Sequence, residues 1–96
     1  MTYNLEFDKR ALKEWQKLDG SIRTQFKKKL AQILSNPRVE SSRLRELEGC
    51  YKIKLRQSGY RLIYQVQDDR IVVLVVAIGK RDKEQAYSEA EHRIKD

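Results

Sequence analysis

Apolar residues alternate with polar ones at the start of the chain, where Tyr3, Leu5 and Phe7 are separated by Asn4 and Glu6, the period of a short strand with one buried face. Asp8 stands where a helix N-cap belongs, ahead of Ala11, Leu12, Trp15 and Leu18 at helical spacing. Asp19-Gly20 interrupts that stripe, and Ser21 is placed to cap a second helix bearing Ile22, Phe26, Leu30, Ile33 and Leu34 on one face. Asn36-Pro37 ends it, because the residue before a proline avoids the α region. Trp15 and Phe26 fall inside the apolar stripes and read as core residues rather than stacking platforms. The outward faces of this helical hairpin carry Lys9, Arg10, Lys13, Lys17, Arg23, Lys27, Lys28 and Lys29.

Residues 38–49 are mostly polar and charged, with Leu44 and Leu47 as the expected anchors, and read as a connecting segment with one helical turn and no chemistry of its own. The pattern then changes to three strands, at 50–56, 60–67 and 70–78, with turns at Ser58-Gly59 and Asp68-Asp69. Beyond residue 80, Ala86, Ala90 and Ile94 recur every four residues among charges, which predicts a helix with a thin apolar stripe. The expected fold class is α+β: one domain over residues 1–96, with a small twisted, mainly antiparallel sheet, an N-terminal helical hairpin on one face and a C-terminal helix. A chain of this length buries about two thirds of its unfolded surface, enough for one core without staples.

The turns set a register. With Ser58-Gly59 as a two-residue loop, Arg56 faces Arg61, Lys54 faces Ile63 and Lys52 faces Gln65, all on one side of the sheet. Tyr51, Ile53, Leu55, Leu62, Tyr64 and Val66 form the opposite, apolar side. Extended through Asp68-Asp69, the same register puts Val73 opposite Tyr64, Val75 opposite Leu62 and Val76 opposite Arg61. Ile71 to Ile78 is apolar on both faces, as suits an inner strand covered from both sides, with the C-terminal helix as second cover. The returning chain then brings Lys80, Arg81 and Tyr87 to the rim of the basic side.

Charge sharpens this picture. The chain has 21 Lys+Arg against 14 Asp+Glu, a surplus that attracts polyanions or acidic proteins. One cysteine, Cys50, excludes an internal disulfide and a cysteine-only zinc site. The opening residues lack a basic stretch followed by an apolar run, and the apolar run at Ile71 to Ile78 is too short to span a bilayer, so cytoplasm and no membrane are expected. His92 reads as an exposed helix residue. No P-loop, dinucleotide or zinc signature is present, and no cofactor or metal is expected.

Chemistry must therefore rest on Lys, Arg and Tyr. Such a set suits phosphodiester cleavage by the 2'-hydroxyl of RNA, since guanidinium and ammonium groups stabilise charge developing on the phosphate. A lysine, with an ordinary pKa of about 10.4, serves as base only if cationic neighbours or burial lower it. Lys52 and Arg61 beside Lys54 act in that direction. The competing reading of the same residues is a solvated sheet edge whose lysines prevent strand addition.

The stretches Cys50-Tyr51-Lys52-Ile53-Lys54-Leu55-Arg56, Ser58-Gly59-Tyr60-Arg61-Leu62-Ile63-Tyr64 and Ile78-Gly79-Lys80-Arg81, with Tyr87 following, closely resemble the RelE family of toxins. The likeness extends to Leu5-Glu6-Phe7-Asp8-Lys9-Arg10-Ala11-Leu12-Lys13-Glu14-Trp15 and to Pro37-Arg38. It implies a ribosome-dependent endonuclease that cleaves mRNA in the A site by 2'-hydroxyl attack, with the ribosome and a RelB-like antitoxin as partners and the toxin alone a monomer. The family's catalytic positions fall on Lys52, Lys54, Arg61, Arg81 and Tyr87. Arg56, Lys80, Lys27, Lys28 and Arg45 are candidate RNA contacts. Two other classes fit the same scaffold: a ParE-like toxin that poisons gyrase by protein binding, and a noncatalytic module that binds RNA or the ribosome.

Overall fold

Helix boundaries follow local chemistry. A computed structural model of the chain describes residues 2–80 and 85–95. Strand β1 (Asn4–Phe7) leads into α1 (Lys9–Lys17), which Asp8 caps by accepting from the Arg10 backbone N–H at 2.9 Å. Helix α2 (Gly20–Ile33) takes Asp19, in extended backbone, as its N-cap residue. Ser21, expected as the cap, instead lies in the first turn and donates its hydroxyl to Asp19 Oδ2 at 2.7 Å. A short 3-10 turn (Glu40–Ser42) is the one helical turn of the connecting segment, and β2 (Cys50–Lys54), β3 (Tyr60–Gln67), β4 (Val72–Lys80) and α3 (Gln85–Lys95) follow.

The strands lie in the order β1-β4-β3-β2, with β1 parallel to β4 and the other pairs antiparallel. Helices α1 and α2 cover one face, burying Ala11, Leu18, Phe26 and Leu30 against Tyr51, Leu62, Tyr64, Val73, Val75 and Ile78. The other face carries a second core, in which Ala86 and Ala90 of α3 meet Cys50, Ile63, Val76, Ala77 and Leu47. Strand β4 is thus covered on both sides, as its unbroken apolar run requires.

Both turns are longer than expected. Leu55 pairs with Tyr60 around a four-residue loop in which Gly59 takes φ 77, and Gly59 N–H donates to Leu55 O at 2.9 Å. A two-residue hairpin turn would need positive φ at Ser58, which a serine avoids and glycine next to it does not supply. The register therefore moves by two residues, so that Lys54 faces Arg61, Lys52 faces Ile63 and Cys50 faces Gln65. A shift of two leaves every side chain on its expected face. The β3–β4 turn likewise spans residues 68–71 and closes at Ile71 with φ 54, an unusual conformation for a β-branched residue. Val73 consequently faces Val66, and Val75 faces Tyr64. Past that point Val76 is an extra residue, a bulge that sets Ala77 opposite Ile63, Ile78 opposite Leu62 and Gly79, not Val76, opposite Arg61.

At the far end of the sheet, Asp68 accepts from Tyr3 Oη at 2.6 Å and from Arg38, whose Nη1 also reaches Tyr51 Oη at 3.3 Å. The hydrogen bonds from Arg38 and then Tyr3 hold the Asp68 carboxyl below its ordinary 3.8. A carboxyl with a depressed folded pKa adds stability above its unfolded pKa and loses it as pH falls through the folded value. Stability should decline below about pH 4, and Asp68→Asn should flatten part of that decline in urea unfolding curves. An unchanged slope would show that this exposed cluster does not couple to folding.

Candidate active site

Strand alternation builds the basic floor. On β2, Tyr51 and Ile53 are buried toward the helical hairpin, leaving Lys52 half-buried and Lys54 exposed on the other face. Lys54 is the register partner of Arg61, which sets their Cα atoms about 5 Å apart. Arg61 reaches across to α3: its Nη1 donates to Tyr87 Oη, and its guanidinium carbon lies 5.1 Å from the centre of the Tyr87 ring. One arginine thus joins the central hairpin to the first turn of the last helix.

Arg61 and Tyr87 stand in an open groove of about 830 Å³, lined also by Lys52, by Ser88 and Glu91 of α3, and by Arg43, Leu44, Arg45, Glu46 and Leu47 of the connecting segment. That segment is fixed against the sheet edge, with Arg43 bridged to Tyr51 and Leu44 N–H donating to Cys50 O at 2.9 Å. Leu47 is buried in the second core and Leu44 packs on it, so Arg45 and Glu46 between them face the groove. Lys54 and Arg56 line a smaller adjoining depression with Leu55, Gly59, Tyr60 and Arg61, so Arg61 belongs to both.

Lys52, Arg61 and Tyr87 therefore share the groove, with Arg45 on its wall, while Lys54 and Arg56 stand beside Arg61 in the adjoining depression. Arg81 lies outside the described residues. Lys80 does not reach the groove: it pairs with Tyr60, and its Nζ sits 5.5 Å from that ring, on the side of α1 and α2. The Val76 bulge is the cause, since one extra residue reverses which side the following side chains take. Lys27 and Lys28 are exposed on α2, in the layer behind the sheet, and are not part of the groove lining. Reading the connecting segment as chemically silent missed Arg43 and Glu46 as a wall of the groove. The signal was present in Leu44 and Leu47, whose anchoring turns their polar neighbours outward. Ser88 and Glu91 of α3 were missed as well. Cys50 is no nucleophile: burial pushes its thiol up to about 11. Burial likewise raises Tyr64, whose hydroxyl donates to Pro37 O at 2.8 Å. Among the described residues no three His, Cys, Asp or Glu side chains gather where they could hold a metal ion.

A family model described as the ParE toxin of type II toxin-antitoxin system, parDE, matches residues 5–85. The chain is 56% identical over 94 residues to the mRNA interferase toxin RelE of Escherichia coli strain K12, covering 98% of this chain and 99% of that protein. It belongs to the RelE/ParE family of type II toxins. The mRNA interferase RelE of Shigella flexneri is matched equally, at 56% over 94 residues, with 98% and 99% covered. Among solved structures of this family, a mutant of Escherichia coli toxin RelE in the free state superposes with a TM-score of 0.91 at 55% identity, covering 98% of this chain and 99% of that one. The toxin of the intact Escherichia coli RelBE toxin-antitoxin complex gives 0.80 at 58% identity, covering 81% and 95%. In this RelE/ParE member the basic groove lies on the sheet face away from the helical hairpin, so the hairpin is scaffold behind the site.

Proposed function

We propose that this chain is the toxin of a toxin-antitoxin pair and an mRNA interferase that cleaves messenger RNA held in the ribosomal A site. The observation that carries this reading is Arg61, bound to Tyr87 across the groove and in direct register with Lys54. Lys54, as the neutral amine, takes the proton of the 2'-hydroxyl. The resulting oxygen attacks the adjacent phosphorus and expels the 5'-oxygen, leaving a 2',3'-cyclic phosphate and, once that oxygen is protonated, a 5'-hydroxyl. Lys52 and Arg61 hold the phosphate and stabilise its growing charge. Tyr87 accepts from Arg61 and keeps its own O–H proton for a second partner, a base edge or the leaving oxygen. Arg81 joins the set on resemblance alone.

A site with no conventional acid-base pair gains most from a substrate held in line by the ribosome, so free RNA is a poor substrate. Arg43, Arg45 and Arg56 around the groove supply phosphate contacts, with the outer lysines of α2 as ribosomal RNA contacts that weaken with salt. The solved complexes of Escherichia coli RelE with RelB support a RelB-like antitoxin as partner here, one that covers the groove or shifts α3. Among the described residues no helix is long and apolar enough to cross a membrane; the cytoplasmic setting follows from the proposed substrate, mRNA on the ribosome.

The test is a translation extract programmed with a defined mRNA, with new ends mapped by primer extension. Wild type should produce discrete ends within codons, and Arg61→Met should produce few. Translation arrest without new ends would sink the nuclease reading and leave a binding module. Inhibition of gyrase with translation intact would favour the gyrase-poison reading that the ParE family description allows.

A further inference from the structure

Where β1 ends, opposite Val75, the outer edge of β4 loses its strand partner just as it reaches the Val76 bulge. Two side chains from different helices take the strand's place. Glu14 of α1 accepts from Ile78 N–H at 3.2 Å, and Arg93 of α3 donates from Nη1 to Val76 O at 2.8 Å. Arg93 also grips Glu14, Nη1 to Oε1 at 2.9 Å and Nη2 to Oε2 at 3.3 Å, with Glu89 Oε2 at 3.3 Å from Nη2. The Arg93 side chain is 6% exposed.

The rest of the α3 contact is shallow. Ala86 and Ala90 are the fully buried residues of the helix, and such small side chains allow close approach without a knob to stop the helix rolling on the sheet. At 3.6 residues per turn, Arg93 lies about 20° to one side of Ala86 and Tyr87 about 100° to the other, some 9 Å apart along the axis. Polar contacts thus pin both borders of the alanine stripe, Arg93 to Glu14 and the β4 edge on one, Tyr87 to Arg61 on the other. As a pure stabiliser the first pin is poor: Arg93 Nε is buried without a hydrogen-bond partner among the described residues, and buried ion pairs frequently do no better than apolar side chains of like volume.

We propose that the Glu14–Arg93 pair is a positioning device for the nuclease, fixing the roll of α3 on the sheet and so placing the Tyr87 hydroxyl against Arg61. This rests on Tyr87 belonging to the reacting groups, as proposed above. The pair couples the scaffold face of the sheet to the groove face, because Glu14 comes from α1.

A double-mutant cycle between Arg93→Met and Tyr87→Phe, read as single-turnover cleavage of ribosome-bound mRNA, tests it. Arg93→Met should lower the cleavage rate constant about tenfold or more, as misplacement of a reacting group by a fraction of an ångström does, with the half-saturating concentration unchanged. In the Tyr87→Phe background the same substitution should cost less than about twofold, and Arg93→Lys should restore part of the rate. Equal losses in both backgrounds, or no loss in either, would overturn the proposal. If Tyr87→Phe alone cleaves at the wild-type rate, the proposed role of Tyr87 is wrong and the positioning role falls with it. Should Arg93→Met not fold, Glu14→Gln, which keeps an oxygen for Ile78 N–H, enters the same cycle with the same expected and overturning results.

Discussion

Lys54→Ala should slow single-turnover cleavage of ribosome-bound mRNA by about 10²- to 10⁴-fold, the range lost with a general base. The protein should fold as before, because Lys54 is exposed on the basic side of β2 and lies outside both cores. Substitutions at such positions usually change stability by less than about 0.5 kcal/mol. Rapid-quench measurement with saturating toxin separates the effect from ribosome binding, and circular dichroism melting checks the fold. A loss below tenfold would move proton abstraction to another group, and Tyr87, which accepts from Lys54's register partner Arg61, is the one the geometry offers.

Phe26→Ala should destabilise the protein by about 3–5 kcal/mol, the usual cost of removing a buried phenylalanine. Phe26 is fully buried in the core under the helical hairpin, with its ring centre 6.5 Å from that of Trp15, which in turn lies 5.2 Å from Phe7. The cavity would open where α1, α2 and β1 meet, and the alanine cannot replace the aromatic contacts that hold them. Against a total stability of about 5–15 kcal/mol for a domain of this kind, such a loss is large. The melting temperature should fall by more than about 10 °C. A drop of only a few degrees would mean that the hairpin collapses onto the vacated space.

The faces of the central hairpin are legible in the sequence, because hairpin loops of two and of four residues differ by an even number. Lys52, Lys54 and Arg61 therefore kept a common side although every pairing moved. The Val76 bulge left no such trace. Ile71 to Ile78 is apolar throughout, so no alternation of polar and apolar residues marks the extra residue, and Lys80 was assigned to the wrong side as a result. Arg93 was equally silent: among the charges of the last helix, spacing alone does not distinguish one aimed at a strand edge from those in water. The wall at residues 43–47 was half legible, since Leu44 and Leu47 stood out as anchors while the polar residues between them looked like ordinary loop.

Strand β1, the first of the described strands to be synthesised, pairs among them with β4 alone, the last of the four. A growing chain emerges N-terminal end first. The opening strand therefore stays out of the sheet until residues 72–75 are in reach, although the helices that follow it can meet β2 and β3 earlier. Tyr87 comes later still, on α3. The groove is complete only once α3 has reached the sheet, so a chain still being made carries the basic floor without the hydroxyl that stands against Arg61.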